Sequence, residues 1–116
     1  MKKRQRPEQL IQRAVCDHLR LRGVRGLIWW ATPNGGKRSP IEAAIFKGQG
    51  VKRGVCDICC LHDSKFFALE LKAEGGRLTE EQREYMDAVN NAGGYATCAV
   101  GIDQAVKALK DWSLIR

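Results

Sequence analysis

Two apolar segments, residues 55–61 and 66–72, are separated by only four residues. Each segment has the length of a β-strand, and so short a connection predicts an antiparallel hairpin. Because side chains alternate between the two faces of a strand, Glu70 and Lys72 share an otherwise apolar face, and Asp57 is expected beside Glu70. The hairpin therefore places three ionisable groups in a half-buried sheet, where each charge needs a partner.

The rest of the chain alternates between helical and extended patterns. Two capping boxes, one formed by Ser39 with Glu42 and one by Thr79 with Gln82, each predict the start of a helix. The predicted elements are a helix at 7–22, a strand at 26–32, a helix at 40–47, strands at 55–61 and 66–72, a helix from Thr79, a strand at 95–100 and a helix capped by Asp103. This α-β-α-β-β-α-β-α order predicts an α/β fold with a mixed β-sheet flanked by helices. We expect a single domain over residues 1–116, with a basic tail at residues 1–6.

Positive charge is concentrated in the first half of the chain. Residues 1–53 hold 13 Lys and Arg against 3 Asp and Glu, whereas residues 54–116 hold 7 against 10. Such a basic half favours a polyanion, and we expect nucleic acid because no strongly amphipathic basic helix points to an anionic membrane. No apolar run approaches the roughly 20 residues that span a bilayer. No export signal is recognised, so we expect a cytoplasmic protein without membrane contact.

The five cysteines, an odd number, are expected to be reduced thiols in the core. A zinc site is the competing interpretation, since Cys56 and Cys59 have C-x₂-C spacing and Cys60 and His62 lie close by. Alternation along a strand predicts that Cys56 and Cys59 face opposite ways, and no second C-x₂-C pair follows at zinc-finger spacing. A structural or zinc-linked adaptor is therefore the less favoured alternative, which metal analysis of the purified protein tests.

From their spacing alone, Asp57, Glu70 and Lys72 have two interpretations. Two carboxylates at one end of a sheet are suitable ligands for Mg²⁺, and an adjacent lysine orients a water molecule or holds charge that develops on a phosphate. Alternatively, Lys72 forms an ion pair with Glu70 or Glu74 at a sheet edge and has no further role. The spacing leaves both interpretations open.

A longer pattern favours the first interpretation. Asp57, followed by Glu70-Leu71-Lys72 on the next strand, is similar to the D…(D/E)-x-K signature of the PD-(D/E)xK nuclease superfamily. The wider pattern consists of Glu8 with Gln12, residues 30–39, residues 54–57, residues 70–72 and residues 76–82. Together, from about residue 8 to residue 105, these segments resemble the VRR-NUC family in its small stand-alone form from phages and bacteria. One departure is Cys56, which stands where the superfamily usually has proline.

The resemblance implies a restriction-endonuclease-like PD-(D/E)xK core and a Mg²⁺- or Mn²⁺-dependent endodeoxyribonuclease, with no small-molecule cofactor beyond the metal. The metal ligands would be Glu8, Asp57, Glu70 and the carbonyl of Leu71, and Lys72 would position the attacking water. The products would carry 5′-phosphate and 3′-hydroxyl ends. The resemblance also implies a homodimer that cuts branched DNA such as four-way (Holliday) junctions.

Two of the implied site residues also have ordinary structural roles. Gln82 would contact Lys72 or the nucleophilic water as part of the catalytic group, but it is also the third residue of a capping box. Glu8 would complete the metal site, but an acidic residue in the first turn of a helix also stabilises the helix dipole.

Phosphate contacts are expected in two basic stretches, one of them rich in glycine. Glycines let the chain approach a ligand closely, and backbone amides with nearby cations bind phosphate; the alternative is a plain turn with solvated charges. The predicted DNA-binding residues are Asn34, Gly35, Gly36, Lys37, Arg38, Lys52 and Arg53. The sequence thus predicts a metal-dependent, structure-selective DNA endonuclease. The alternative is a basic DNA-binding module with an inactive nuclease fold.

Overall fold

The computed structural model describes the backbone of residues 2–33 and 39–116 and the side chains of residues 7–33 and 39–116. The helices and strands follow the predicted order. They are α1 (Lys2–Arg22), β1 (Ile28–Ala31), α2 (Pro40–Gly48), β2 (Ile58–His62), β3 (Lys65–Lys72), α3 (Glu80–Asn91), β4 (Tyr95–Val100) and α4 (Gly101–Asp111). Both predicted capping boxes form, at the starts of α2 and α3. Within the described residues, no helix is both long and apolar enough to cross a membrane.

The strands form one mixed four-stranded sheet in the order β1-β2-β3-β4. β2 pairs antiparallel with β1 and β3, whereas β4 lies parallel to β3. The predicted hairpin is confirmed, and it closes through Asp63 and Ser64, whose φ values of 51° and 66° belong to a tight turn that matches the twist of paired strands. The ends of β1, β3 and β4 and the start of β2 therefore meet at one end of the sheet, which we call the site end.

Helices cover both faces of the sheet. α1 and α4 pack on the face that carries Leu69 and Leu71, where the larger hydrophobic core lies. α3 covers the opposite face, where Met86 packs near Ala68. Glu70 follows Ala68 by two residues, so its side chain lies on the α3 face of the sheet. The confirmed α/β architecture thus places Glu70 and Lys72 on the face that α3 covers.

Three details differ from the sequence predictions. α1 begins at Lys2, so residues 2–6 continue the helix and Pro7 lies inside it, because the surrounding Lys, Arg and Gln residues are themselves helix formers. β2 begins at Ile58 rather than at residue 55. α4 begins at Gly101 with Val100 as its N-cap, so the prediction that Asp103 caps this helix is wrong.

Candidate active site

The start of β2 and the end of β3 bring Asp57 beside Glu70 at the site end of the sheet. Ile58 pairs with Leu69, so the residue before Ile58 lies across from Glu70. The backbone N–H of Leu71 donates a 2.8 Å hydrogen bond to Oδ2 of Asp57. Because the N–H and C=O of one strand residue point to the same edge, the Leu71 carbonyl leaves β3 on the edge where Asp57 lies. The structure therefore brings Asp57, Glu70 and Leu71 together, although Asp57 precedes the strand on which it was predicted.

Glu70 is a deeply buried carboxylate, with 2% of its surface exposed. Its Oε2 accepts a 2.9 Å hydrogen bond from Nε2 of Gln82 and lies 3.8 Å from Nζ of Lys72. Its Oε1 is buried and accepts no hydrogen bond from the described residues. Burial, followed by the negative charge of Asp57, raises the pKa of Glu70 to about 8, and the charge of Lys72 opposes that rise. The site therefore holds an acid whose ionised form is poorly compensated by the protein itself.

Glu8 and Lys72 meet at Gly76, just beyond the end of β3. A Cβ on Gly76 would lie 3.3 Å from Oε2 of Glu8 and 3.4 Å from Cδ of Lys72, so the bare backbone lets both side chains approach. The charge of Glu8 also contributes to the raised pKa of Glu70. Among the described residues, however, no three His, Cys, Asp or Glu side chains form a metal-binding cluster. Glu8 thus lies at the edge of the site, beside Lys72. Gly76 opens the 76–82 segment of the family pattern, but no role at the site was predicted for it; its signal is the Gly-Gly pair that follows a charged strand.

Gln82 reaches the site from the first turn of α3. Its backbone N–H donates to Oγ1 of Thr79 at 3.1 Å, and its Oε1 accepts from the backbone N–H of Thr79 at 2.9 Å. The same side chain donates from Nε2 to Glu70, so the structure places Gln82 on a carboxylate rather than on Lys72. The start of α3 is thereby tied to β3 by a side-chain hydrogen bond.

The loop before Asp57 packs directly on the start of α3 through Gly54. This residue has φ of +79°, and a Cβ would lie 2.5 Å from the carbonyl carbon and oxygen of Glu81 and 2.9 Å from the backbone nitrogen of Gln82. We expect Gly54→Ala to lower the free energy of unfolding by about 3 kcal/mol, because both the backbone conformation and the close approach become strained. Chemical denaturation measures this change.

Gly50 is the matched control for Gly54. It has a similar φ of +86°, but apart from its chain neighbours no atom of the described residues lies within 4 Å of the position that a Cβ would take. Gly50→Ala should therefore lower the free energy of unfolding only by the cost of placing alanine at a positive φ, about 1 kcal/mol. Equal losses in the two variants would show that the contact with α3 contributes nothing.

The thiols near the site lie in the protein interior, and Cys56, Cys59 and Cys60 are buried. The prediction that Cys56 and Cys59 face opposite ways is wrong, because Cys56 precedes β2 and packs with Ala68, the residue that pairs with Cys59. Burial raises the pKa of Cys59, and raises that of Cys60 to about 12. Buried thiols that stay protonated pack as small apolar side chains, which agrees with the prediction that these cysteines belong to the core.

A groove of about 1300 Å³ runs beside the site between α2 and α3. The exposed residues Lys52 and Arg53 line it, together with Gly54 and Tyr85. The backbone N–H of Thr32, another lining residue, donates to the carbonyl of Asp57 at 2.9 Å, so the groove adjoins the carboxylates. The other predicted DNA-binding residues, Asn34, Gly35, Gly36, Lys37 and Arg38, lie outside the described residues.

Comparisons with known proteins concern the sequence profile and the fold of the chain. Residues 6–102 match the sequence profile of the VRR-NUC domain. A solved structure described as a VRR_NUC domain protein superposes with a TM-score of 0.73, at 24% sequence identity, over 93% of this chain and 89% of that chain. A search of curated proteins gives no significant match. The fold is therefore similar to that of the solved VRR_NUC domain protein, and the sequence profile covers most of the chain.

Proposed function

Because this chain belongs to the VRR-NUC family, within the PD-(D/E)xK nuclease superfamily, we propose that it is a metal-dependent endonuclease for branched DNA such as four-way junctions. Family membership supports a nuclease-type function with DNA as the substrate. The observation that carries the proposal is the meeting of Asp57, Glu70 and Lys72 at one end of the sheet, where one buried carboxylate oxygen of Glu70 has no hydrogen-bond partner among the described residues.

The chemistry of this group of residues fits a divalent cation. Asp57, Glu70 and the Leu71 carbonyl offer oxygen ligands, which hard cations such as Mg²⁺ and Mn²⁺ prefer, and Glu8 would complete the set from α1. The buried Oε1 of Glu70 is the clearest sign of fit, because a buried anionic oxygen without a donor is costly unless a positive charge faces it. A bound cation would supply Lewis-acid polarisation of the scissile phosphate.

Lys72 supplies the fixed positive charge of the site. Only 9% of its surface is exposed, and its ammonium group is held 3.8 Å from Oε2 of Glu70. A lysine held in this way donates hydrogen bonds to the attacking water and stabilises negative charge that develops on the phosphate. We therefore assign Lys72 to positioning the water and Asp57 and Glu70 to holding the cation.

DNA would approach over the basic side of the site end. Lys52 and Arg53 line the neighbouring groove, and the first 53 residues carry most of the positive charge of the chain. Lysine and arginine bind phosphates with release of counterions, so substrate affinity should fall with added salt. A homodimer would present two such sites to the two halves of a symmetric four-way junction.

Cleavage of end-labelled DNA tests the proposal. We expect wild-type protein to nick a four-way junction symmetrically with Mg²⁺ or Mn²⁺, faster than it cuts a flap, a single strand or a linear duplex of the same sequence, and to lose all cleavage in EDTA. Light scattering should give twice the chain mass of 13.0 kDa. Equal cleavage of every substrate would remove the branch selectivity, and tight binding without any cleavage would favour an inactive DNA-binding module.

A further inference from the structure

One side chain belongs both to the capping box of α3 and to the carboxylate site. The backbone N–H of Thr79 can only donate, so its 2.9 Å partner on Gln82 must be the amide oxygen. The amide nitrogen of Gln82 then faces Glu70, and the 2.9 Å contact with Oε2 is a donation to the carboxylate. The start of α3 therefore fixes which end of the Gln82 amide meets Glu70.

This donation divides the two oxygens of Glu70 between two environments. Oε2 receives Gln82 and lies near Lys72, whereas Oε1 has no hydrogen-bond partner among the described residues. A donor held on one oxygen restricts rotation of the carboxylate about its last bond. Oε1 is thereby left as the oxygen available to a cation.

The helix that carries Gln82 is itself firmly placed. Met86, one turn further along α3, packs near Ala68 on the same face of β3 as Glu70. Gly54 contacts the backbone at Glu81 and Gln82 without room for a side chain. Gln82 therefore acts from a rigid support, which a residue that orients a metal ligand requires.

The other described capping box shows what capping alone requires. At the start of α2, the N–H of Ser39 donates to Oε1 of Glu42 at 3.0 Å, and the N–H of Glu42 donates to Oγ of Ser39 at 3.1 Å. Glutamate and glutamine both serve in this position, but only glutamine keeps a donor for a second partner. In the capping box beside the site this residue is Gln82, whose amide nitrogen is free to donate to a second partner while its amide oxygen caps α3.

From these contacts we propose that Gln82 is a positioning residue for the metal site, held by Thr79, and that it sets the orientation in which Glu70 offers Oε1 to the cation. This inference rests on the proposed function, because it assigns a role toward the cation of the same site. It differs from a contact to Lys72 or to the attacking water, since the amide acts through Glu70.

Two substitutions at Gln82 separate positioning from capping. Gln82→Glu keeps the acceptor for Thr79 and the helix start but removes the donor to Glu70. Because its carboxylate then faces Oε2 of Glu70, we expect the metal-free variant to be less stable than wild type, and at saturating Mn²⁺ we expect it to cut DNA about 10- to 100-fold more slowly. Gln82→Ala removes both groups, and calorimetry without DNA should show Mn²⁺ affinity about 10-fold or more below wild type.

Glu42→Ala is the matched control, because it removes the equivalent capping side chain of α2 without touching Glu70. It should keep wild-type Mn²⁺ affinity. Wild-type cleavage by Gln82→Glu, wild-type Mn²⁺ affinity in Gln82→Ala, or an equal loss in Glu42→Ala would each overturn the inference while the proposed function stands. A wild-type protein that neither binds Mn²⁺ nor cuts DNA would overturn both.

Discussion

Lys72→Ala is expected to slow DNA cleavage about a thousandfold at saturating Mn²⁺ while four-way junctions still bind. The ammonium group is the fixed cation of the site and lies 3.8 Å from Glu70, in a position where 9% of the residue is exposed. Its side chain packs against Gly76, where a Cβ would lie 3.4 Å from Cδ of Lys72. Single-turnover cleavage of a labelled junction, with binding followed separately by anisotropy, measures both effects.

Lys65→Ala provides the control for a lost lysine on the same strand. Lys65 begins β3 at the end of the sheet opposite the site and is exposed, so its removal should leave cleavage within about twofold of wild type. Lys72→Met adds a variant that keeps much of the side-chain volume without the charge. If Lys72→Met cut DNA at the wild-type rate, the charge of Lys72 would have no role in the reaction, and the assignment would be wrong.

Local patterns in the sequence account for most of the fold. The hairpin followed from two apolar segments with a short connection, and both capping boxes followed from Ser or Thr with Glu or Gln three residues later. These signals are reliable because hydrogen bonds between near neighbours in the chain decide the structure. Such signals are less decisive in α1. Pro7 predicted the start of this helix, but the helix-forming residues before it extend the helix to Lys2.

Contacts between distant segments explain what the sequence did not reveal. Asp57 lies beside Glu70 as expected, but from a turn, and that same turn places Cys56 against Ala68 on the α3 face. Alternation holds only inside a strand, so it fails for a residue that precedes one. The hydrogen bond from Gln82 to Glu70 depends on how α3 packs on β3, and no spacing in the sequence specifies that packing. The relation of Glu8 to the other carboxylates depends in the same way on how α1 lies against the sheet.

The arrangement around Glu70 is unfavourable for the protein without a cation. Two carboxylates are adjacent, one of them is buried, and among the described residues the nearest positive charge is the ammonium group of Lys72, 3.8 Å from Glu70. Folding therefore brings together charged groups that are separated in the unfolded chain. Their repulsion and burial lower the free energy of unfolding. We therefore expect the protein to be more stable when the charge of one of these carboxylates is removed, even if its function is lost.

Glu70→Gln is accordingly expected to stabilise the metal-free protein at high pH and to abolish Mn²⁺-dependent cleavage. Folding raises the pKa of Glu70 from 4.5 to about 8, so between these values the folded protein keeps a proton that the unfolded chain has released. Raising the pH through this window therefore favours unfolding of the wild type, whereas the uncharged amide of the variant avoids the loss. In EDTA at about pH 9, we expect Glu70→Gln to be about 5 kcal/mol more stable than wild type, with little difference below about pH 4.5.

Urea denaturation at several pH values measures this difference, and Glu74→Gln is its control. Glu74 follows the same strand but is exposed, so neutralising it should leave the pH profile of stability nearly unchanged. Mn²⁺ should restore wild-type stability at high pH, because a cation that binds the ionised carboxylate favours the folded state, and it should not stabilise Glu70→Gln. Parallel pH profiles for wild type and Glu70→Gln would mean that the Glu70 carboxylate is adequately compensated without a cation, and the main structural support for a metal site would be lost.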